Sequence, residues 1–196
     1  MALTNIKVGQ MACVEVGLTP LATFADETTE ALVVNTHYQT IVDDALSLHY
    51  WRFACAQVVL NLLAAEPAGR WGYAFQIPAE VLLIRAVTVS DTTIPFEIYD
   101  DMVYCDADAT VDVVLDGVFN VVESKWPAYF TRYVVLKLAT LLASGVREDA
   151  AMRKQLLDEA AVQFRLAKSR DSGGRTASKM KTVRITNSRL RRAGIG

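Results

Sequence analysis

The stretch Val81–Leu115, VLLIRAVTVSDTTIPFEIYDDMVYCDADATVDVVL, decides the fold. It holds four β-prone runs, Val81–Val89, Ile94–Tyr99, Met102–Cys105 and Thr110–Leu115, separated by short polar breaks. Asp91-Thr92-Thr93 and Asp100-Asp101 supply the breaks, and Asp116-Gly117 reads as a further turn. Short β-branched and aromatic runs at such spacing predict a compact antiparallel unit.

On both sides of this unit the apolar period changes from two to between three and four. Upstream, a helix from about Thr4 to Val16 is expected to stop at Gly17, with Pro20 shortly after, because glycine tolerates the left-handed closing residue and proline cannot continue the helix. A second helix begins near Asp26 or Thr28 and carries Ala31, Val34, Tyr38, Val42, Ala45 and Leu46 on one stripe. The segment Trp51–Ala65 fits either strand or buried helix, and Glu66-Pro67-Ala68-Gly69 closes it with turn chemistry. Downstream, Tyr129, Tyr133, Leu136, Ala139 and Thr140 mark a helix ending at Gly145. A last helix, about Arg147 to Ser169, presents Met152, Leu156, Ala160, Phe164 and Ala167. The expected class is therefore α+β: a four-helix framework interrupted by a small antiparallel β subdomain, with an extended C-terminal arm.

Charge divides the chain in a second way. Residues 1–169 hold 12 Lys and Arg against 21 Asp and Glu, whereas residues 170–196 hold eight against Asp171 alone. The net charge of −2 thus joins a body near −9 to an arm near +7. Within the arm Ser172-Gly173-Gly174-Arg175 reads as a flexible break and Lys179 to Ile185 as a short strand. Two readings of the arm remain open beside plain solvation. Lys179, Lys181, Arg184, Arg189, Arg191 and Arg192 could neutralise nucleic-acid phosphates, although no interleaved aromatics offer a stacking platform. Alternatively, Val183 and Ile185 could anchor an assembly arm whose basic residues set its register on an acidic surface.

The chemistry of catalysis is thinly represented. Two histidines, His37 and His49, stand twelve residues apart, about 18 Å along one helix axis, so they do not share a metal. Asp100, Asp101, Asp106 and Asp108 lack the late Glu and turning glycine of a calcium loop and read as a solvated hairpin edge. No serine elbow, phosphate-binding loop or H-E-x-x-H stretch occurs, so the expectation is a non-enzymatic protein without cofactor or metal. Cys13, Cys55 and Cys105 are odd in number and dispersed, which fits free thiols in a reducing compartment rather than a disulfide framework. No apolar run reaches the roughly 20 residues of a membrane span, and no signal-like leader opens the chain, so no membrane partner is expected.

Several short motifs recur in a recognisable order. They are Ala12–Leu18, Pro20-Leu21, Asp26-Glu27-Thr28-Thr29-Glu30-Ala31, Asn35, Tyr38 and Trp51-Arg52-Phe53-Ala54. Tyr73-Ala74-Phe75, Ile77-Pro78, Leu82, Arg85-Ala86-Val87, Glu97-Ile98-Tyr99 and Cys105-Asp106 continue them, before Trp126-Pro127-Ala128-Tyr129-Phe130 and Val134–Leu142. This order, over most of residues 10–168, resembles the head-to-tail adaptor family of short-tailed bacteriophages, also called tail tubular protein A. Ala79-Glu80 departs from it where a proline-aspartate variant is familiar. The resemblance implies a virion protein, made in the bacterial host cytoplasm, at the head–tail interface. It implies a homo-oligomeric ring, commonly of twelve copies, between the portal protein and the tail nozzle or tube, with a passage for double-stranded genome DNA. It also divides the chain into a helical part with a helix-to-sheet junction (1–72), a tail-side β subdomain (73–125), a returning helical hairpin (126–169) and a portal-docking arm (170–196). Partner-contact candidates are Lys179, Lys181, Val183, Arg184, Ile185, Arg189, Arg191 and Arg192. Trp51, Phe53, Tyr73, Phe75, Trp126, Tyr129 and Phe130 are the candidates for an aromatic junction, since their large rigid surfaces would fix helix against sheet.

Overall fold

Four α-helices and two small antiparallel sheets make up the fold in a computed structural model that describes residues 2–64, 67, 69–107 and 110–173. Helix α1 (Asn5–Glu15) starts where the Thr4 hydroxyl accepts the Lys7 N–H, and α2 (Thr29–Ser47) where Thr28 accepts from Ala31. Both side chains satisfy amides that a helix start leaves without partners. Gly17 closes α1 with φ of +68°, the left-handed value expected of a glycine stop. Arg147 completes this end by donating to the Val16 carbonyl at 2.6 Å.

Helix α3 (Ala128–Gly145) packs against α1, α2 and α4 (Ala150–Gly173), so its apolar residues extend around most of its circumference. Phe130, Val134, Val135, Leu136, Leu138 and Leu142 are all fully buried there. A helix apolar on nearly every side is a central helix, and its neighbours need bury only one stripe each. Arg132 ties the ring of helices together by donating to Glu15 of α1 at 2.6 and 3.0 Å and to Glu159 of α4 at 2.7 Å.

The first sheet has the order β1 (Cys55–Val59), β8 (Val113–Phe119), β4 (Val81–Val89), β5 (Thr92–Thr93). The second has the order β2 (Asn61–Leu62), β3 (Tyr73–Gln76), β7 (Met102–Cys105), β6 (Phe96–Tyr99). Val87, Val113 and Leu115 of the first sheet meet Phe75, Val103 and Cys105 of the second in one buried cluster. Val118, near the other end of β8, belongs instead to the helical core, so β8 joins the two cores.

The segment after Trp51, open in the sequence between strand and helix, forms β1 and β2. Three boundaries differ from expectation. The run Ile94–Tyr99 is divided, because Pro95 has no N–H for a ladder and the chain there passes from one sheet to the other. The run Thr110–Leu115 starts later, at Val113, and continues to Phe119 through Asp116-Gly117, which is mid-strand and not a turn. Gly117 sits opposite irregular pairing in β4, and a Cβ there would lie 2.6 Å from the Leu83 carbonyl oxygen. The glycine serves close strand approach, not chain reversal. Lastly, α4 continues past Ser169 to Gly173, so Arg170–Gly173 belong to the helical body.

Candidate functional site

The chain turns sharply after α2, and this corner gathers the side chains that join helices to sheet. Trp51 is completely buried, and its indole N–H donates to the Ala45 carbonyl at 2.8 Å, which satisfies the polar atom that burial would otherwise strand. Ring centroids of His49, Phe130, Phe164, Phe53 and Tyr129 lie 4.9, 5.2, 6.1, 6.2 and 6.3 Å from Trp51. Trp126 extends the cluster to Phe130 at 5.1 Å. These separations fall in the range of favourable edge and offset contacts. Five of the seven aromatic candidates, Trp51, Phe53, Trp126, Tyr129 and Phe130, are thus brought together. Tyr73 and Phe75 are not: both lie on β3 and pack into the core between the sheets. Phe164 takes part without standing out among the sequence candidates.

Against this corner sits Asp171, the single acid of the basic C-terminal region and the only buried charged residue among the described ones. Its carboxylate accepts the Arg52 backbone N–H at 3.2 Å to each oxygen and the Tyr129 hydroxyl at 2.9 Å. The His49 Nε2 stands 3.6 Å away. A cleft of about 440 Å³ opens beside it, lined by His49, Tyr50, Arg52, Cys55, Arg85 and Asp171. Burial lowers the affinity of His49 for a proton more than the Asp171 charge raises it, so the imidazole is neutral at pH 7. Burial and Asp171 push the Tyr129 hydroxyl up to about 12, which keeps it a donor. The Cys55 thiol is likewise raised by burial and stays protonated. Together these groups act as a latch, with one carboxylate fastening the last turn of α4 to the α2–β1 corner and to α3.

A second polar node lies on the far sheet. Glu97 accepts from Arg70, from the Trp71 indole at 3.0 Å and from the Tyr99 hydroxyl, and the Arg70 guanidinium lies 5.1 Å over the Trp71 ring. The Tyr99 hydrogen bond is the leading cause that holds the Glu97 carboxyl below its ordinary range. Of the clustered aspartates, Asp101 accepts from Gln76 at 2.7 Å and Asp106 from the Gly72 N–H at 2.8 Å. Asp108 lies outside the described residues. Among the described residues no three His, Cys, Asp or Glu side chains converge as a metal site. No described helix is long and apolar enough to cross a membrane.

The partner-contact candidates Lys179, Lys181, Val183, Arg184, Ile185, Arg189, Arg191 and Arg192 all lie outside the described residues. The structure does define where their segment starts, at Gly173, two residues beyond the Asp171 latch. No protein-family model matches this chain, and no curated protein matches it.

Proposed function

We propose that this protein is a structural head-to-tail adaptor of a short-tailed bacteriophage. It would form a ring, of twelve copies in the manner of that family, between portal and tail nozzle or tube, around a passage for genome DNA. The observation that carries the reading is the division of charge at Gly173. Seven basic residues and no acid follow it, while an acidic, tightly cored body precedes it. The ordered resemblance of residues 10–168 to the adaptor family supports the same reading. So do exposed apolar side chains on three helices, among them Val14, Leu32 and Leu166, which offer lateral contact surface for ring neighbours.

In this reading the protein is not an enzyme and uses no cofactor; its chemistry is adhesion and repulsion. The arm, fastened at its root by Asp171, docks on the portal, with Arg184, Arg189, Arg191 and Arg192 available for paired hydrogen bonds to carboxylates. The acidic body repels duplex DNA, so a passage lined by it does not retain the moving genome. The place of action is the virion's head–tail interface, after synthesis in the host cytoplasm.

Deleting residues 174–196, which leaves the latch intact, tests the proposal by sedimentation with the portal protein of the same particle. The expected result is loss of portal binding with the body still folded. Portal binding that survives the deletion refutes the docking role. A deletion that removes only salt-sensitive duplex binding supports the alternative reading, a nucleic-acid-binding protein that uses its basic tail.

A further inference from the structure

Strand β4 is incompletely paired. β8 lies along one side of it, but on the other β5 pairs only with Thr88 and Val89. Among the described residues no strand covers Val81–Ala86 on that side. The consecutive residues Val81, Leu82, Leu83 and Ile84 are each half-buried, Leu82 and Leu83 against the helical core and Val81 and Ile84 against the core between the sheets. Beside them opens a groove of about 810 Å³ with Ile77, Leu83, Ile84 and Ile98 along it and Asp100 and Asp101 at its rim. Ile98 is 47% exposed, and neither Asp100 nor the neighbouring Glu80 has a side-chain partner among the described residues. An apolar trough, a strand edge on which the Ile84 carbonyl accepts from the Tyr50 hydroxyl at 3.2 Å but no strand pairs, and rim acids without a cationic partner among the described residues describe a receptor for a short basic–apolar strand.

One such segment belongs to the chain itself. Lys179–Ile185, KMKTVRI, combines the β-branched Val183 and Ile185 with Lys179, Lys181 and Arg184. In extended backbone Lys179, Lys181, Val183 and Ile185 would share one face. Its tether starts near the same strand. Ser172, one residue before α4 ends, lines the first cleft together with Arg85, whose neighbour in β4, Ile84, lines the groove. The ten residues from Gly173 to Val183 reach up to about 33 Å. A short tether also holds a segment at an effective concentration on the order of millimolar, so even a contact with a millimolar Kd is about half occupied.

We propose that residues 179–185 dock in cis in the groove beside β4, with Val183 and Ile185 seated on its apolar floor and the lysines toward Asp100 and Asp101. The docked arm is withdrawn from other partners until one outcompetes the groove. The inference does not depend on the identity of such a partner, and its test contains none.

The test places p-benzoylphenylalanine at Ile98 in the full-length chain and maps photo-cross-links by mass spectrometry in an equimolar mixture of ¹⁴N and ¹⁵N protein. Expected are cross-links to residues 179–191 that join light to light and heavy to heavy only. Val183→Asp/Ile185→Asp lowers their yield by at least about tenfold, because each apolar side chain withdrawn is worth roughly that factor. Excess peptide of sequence 174–196 at millimolar concentration lowers it as well. Mixed light–heavy cross-links would show that a second copy supplies the segment and overturn docking in cis. Absence of any cross-link to residues 174–196, or a yield indifferent to the double substitution, overturns the groove as the receptor.

Discussion

Replacing Asp171 by Ala removes the acceptor of two well-formed hydrogen bonds, one shared by both oxygens from Arg52 N–H and one from the Tyr129 hydroxyl. Hydrogen bonds to a charged, buried acceptor contribute about 1.5–3 kcal/mol each, and the abandoned donors recover part of this from water in the adjoining cleft. The expected destabilisation is therefore about 3 kcal/mol, or on the order of 6–12 °C in Tm at 2–4 °C per kcal/mol for a chain of this size. Asp171→Asn keeps one acceptor oxygen and is expected to lose about half as much. Tyr129→Phe is expected to cost about 1 kcal/mol and to be non-additive with Asp171→Ala. Urea unfolding followed by tryptophan fluorescence, to which Trp51, 6.3 Å from the Tyr129 ring, contributes with Trp71 and Trp126, reads all three variants. A chain ending at Ser169 should behave like Asp171→Ala, and one ending at Gly173 like the intact protein. Asp171→Ala within about 0.5 kcal/mol of wild type, the range of ordinary surface substitutions, would refute the latch.

Three further outcomes follow from the same geometry. His49 binds its proton less readily folded than unfolded, so stability is complete above its ordinary value of 6.5 and falls as pH drops through 6.5 toward the lower folded value. His49→Gln should flatten that part of a stability–pH curve measured by urea unfolding. Gly117→Ala places a Cβ 2.6 Å from the Leu83 carbonyl oxygen and is expected to cost about 1–3 kcal/mol, readable as a lowered urea midpoint with an unchanged slope. Trp51→Ala empties the centre of the aromatic corner, and a loss of about 3–5 kcal/mol is expected by calorimetry.

Elements with strong local signals are legible in the amino-acid sequence itself. Val81–Val89 and Met102–Cys105 have the bounds their β-branched runs indicate, Gly17 closes α1 in the left-handed conformation, and α3 ends at Gly145 without needing it. The departures from expectation have a common origin in tertiary contact. Asp116-Gly117 carries the composition of a turn, yet its glycine answers to the Leu83 carbonyl on a neighbouring strand. Tyr73 and Phe75 resemble their fellow aromatics in sequence, but β3 commits them to the core between the sheets. Asp171 is the least visible of all. It sits in a basic stretch before two glycines, and its partners Arg52 and Tyr129 are 119 and 42 residues away. A lone acid within a strongly basic segment is the available signal, and it indicates a carboxylate kept for a specific donor.

The adaptor reading meets its most direct test in the mass of a portal complex measured by sedimentation. With intact protein, the portal should gain the mass of twelve chains in a single discrete species, and the chain ending at Gly173 should add none. Portal that gains no mass from the intact protein, or gains the same mass from the shortened one, would contradict an adaptor ring held by its basic arm.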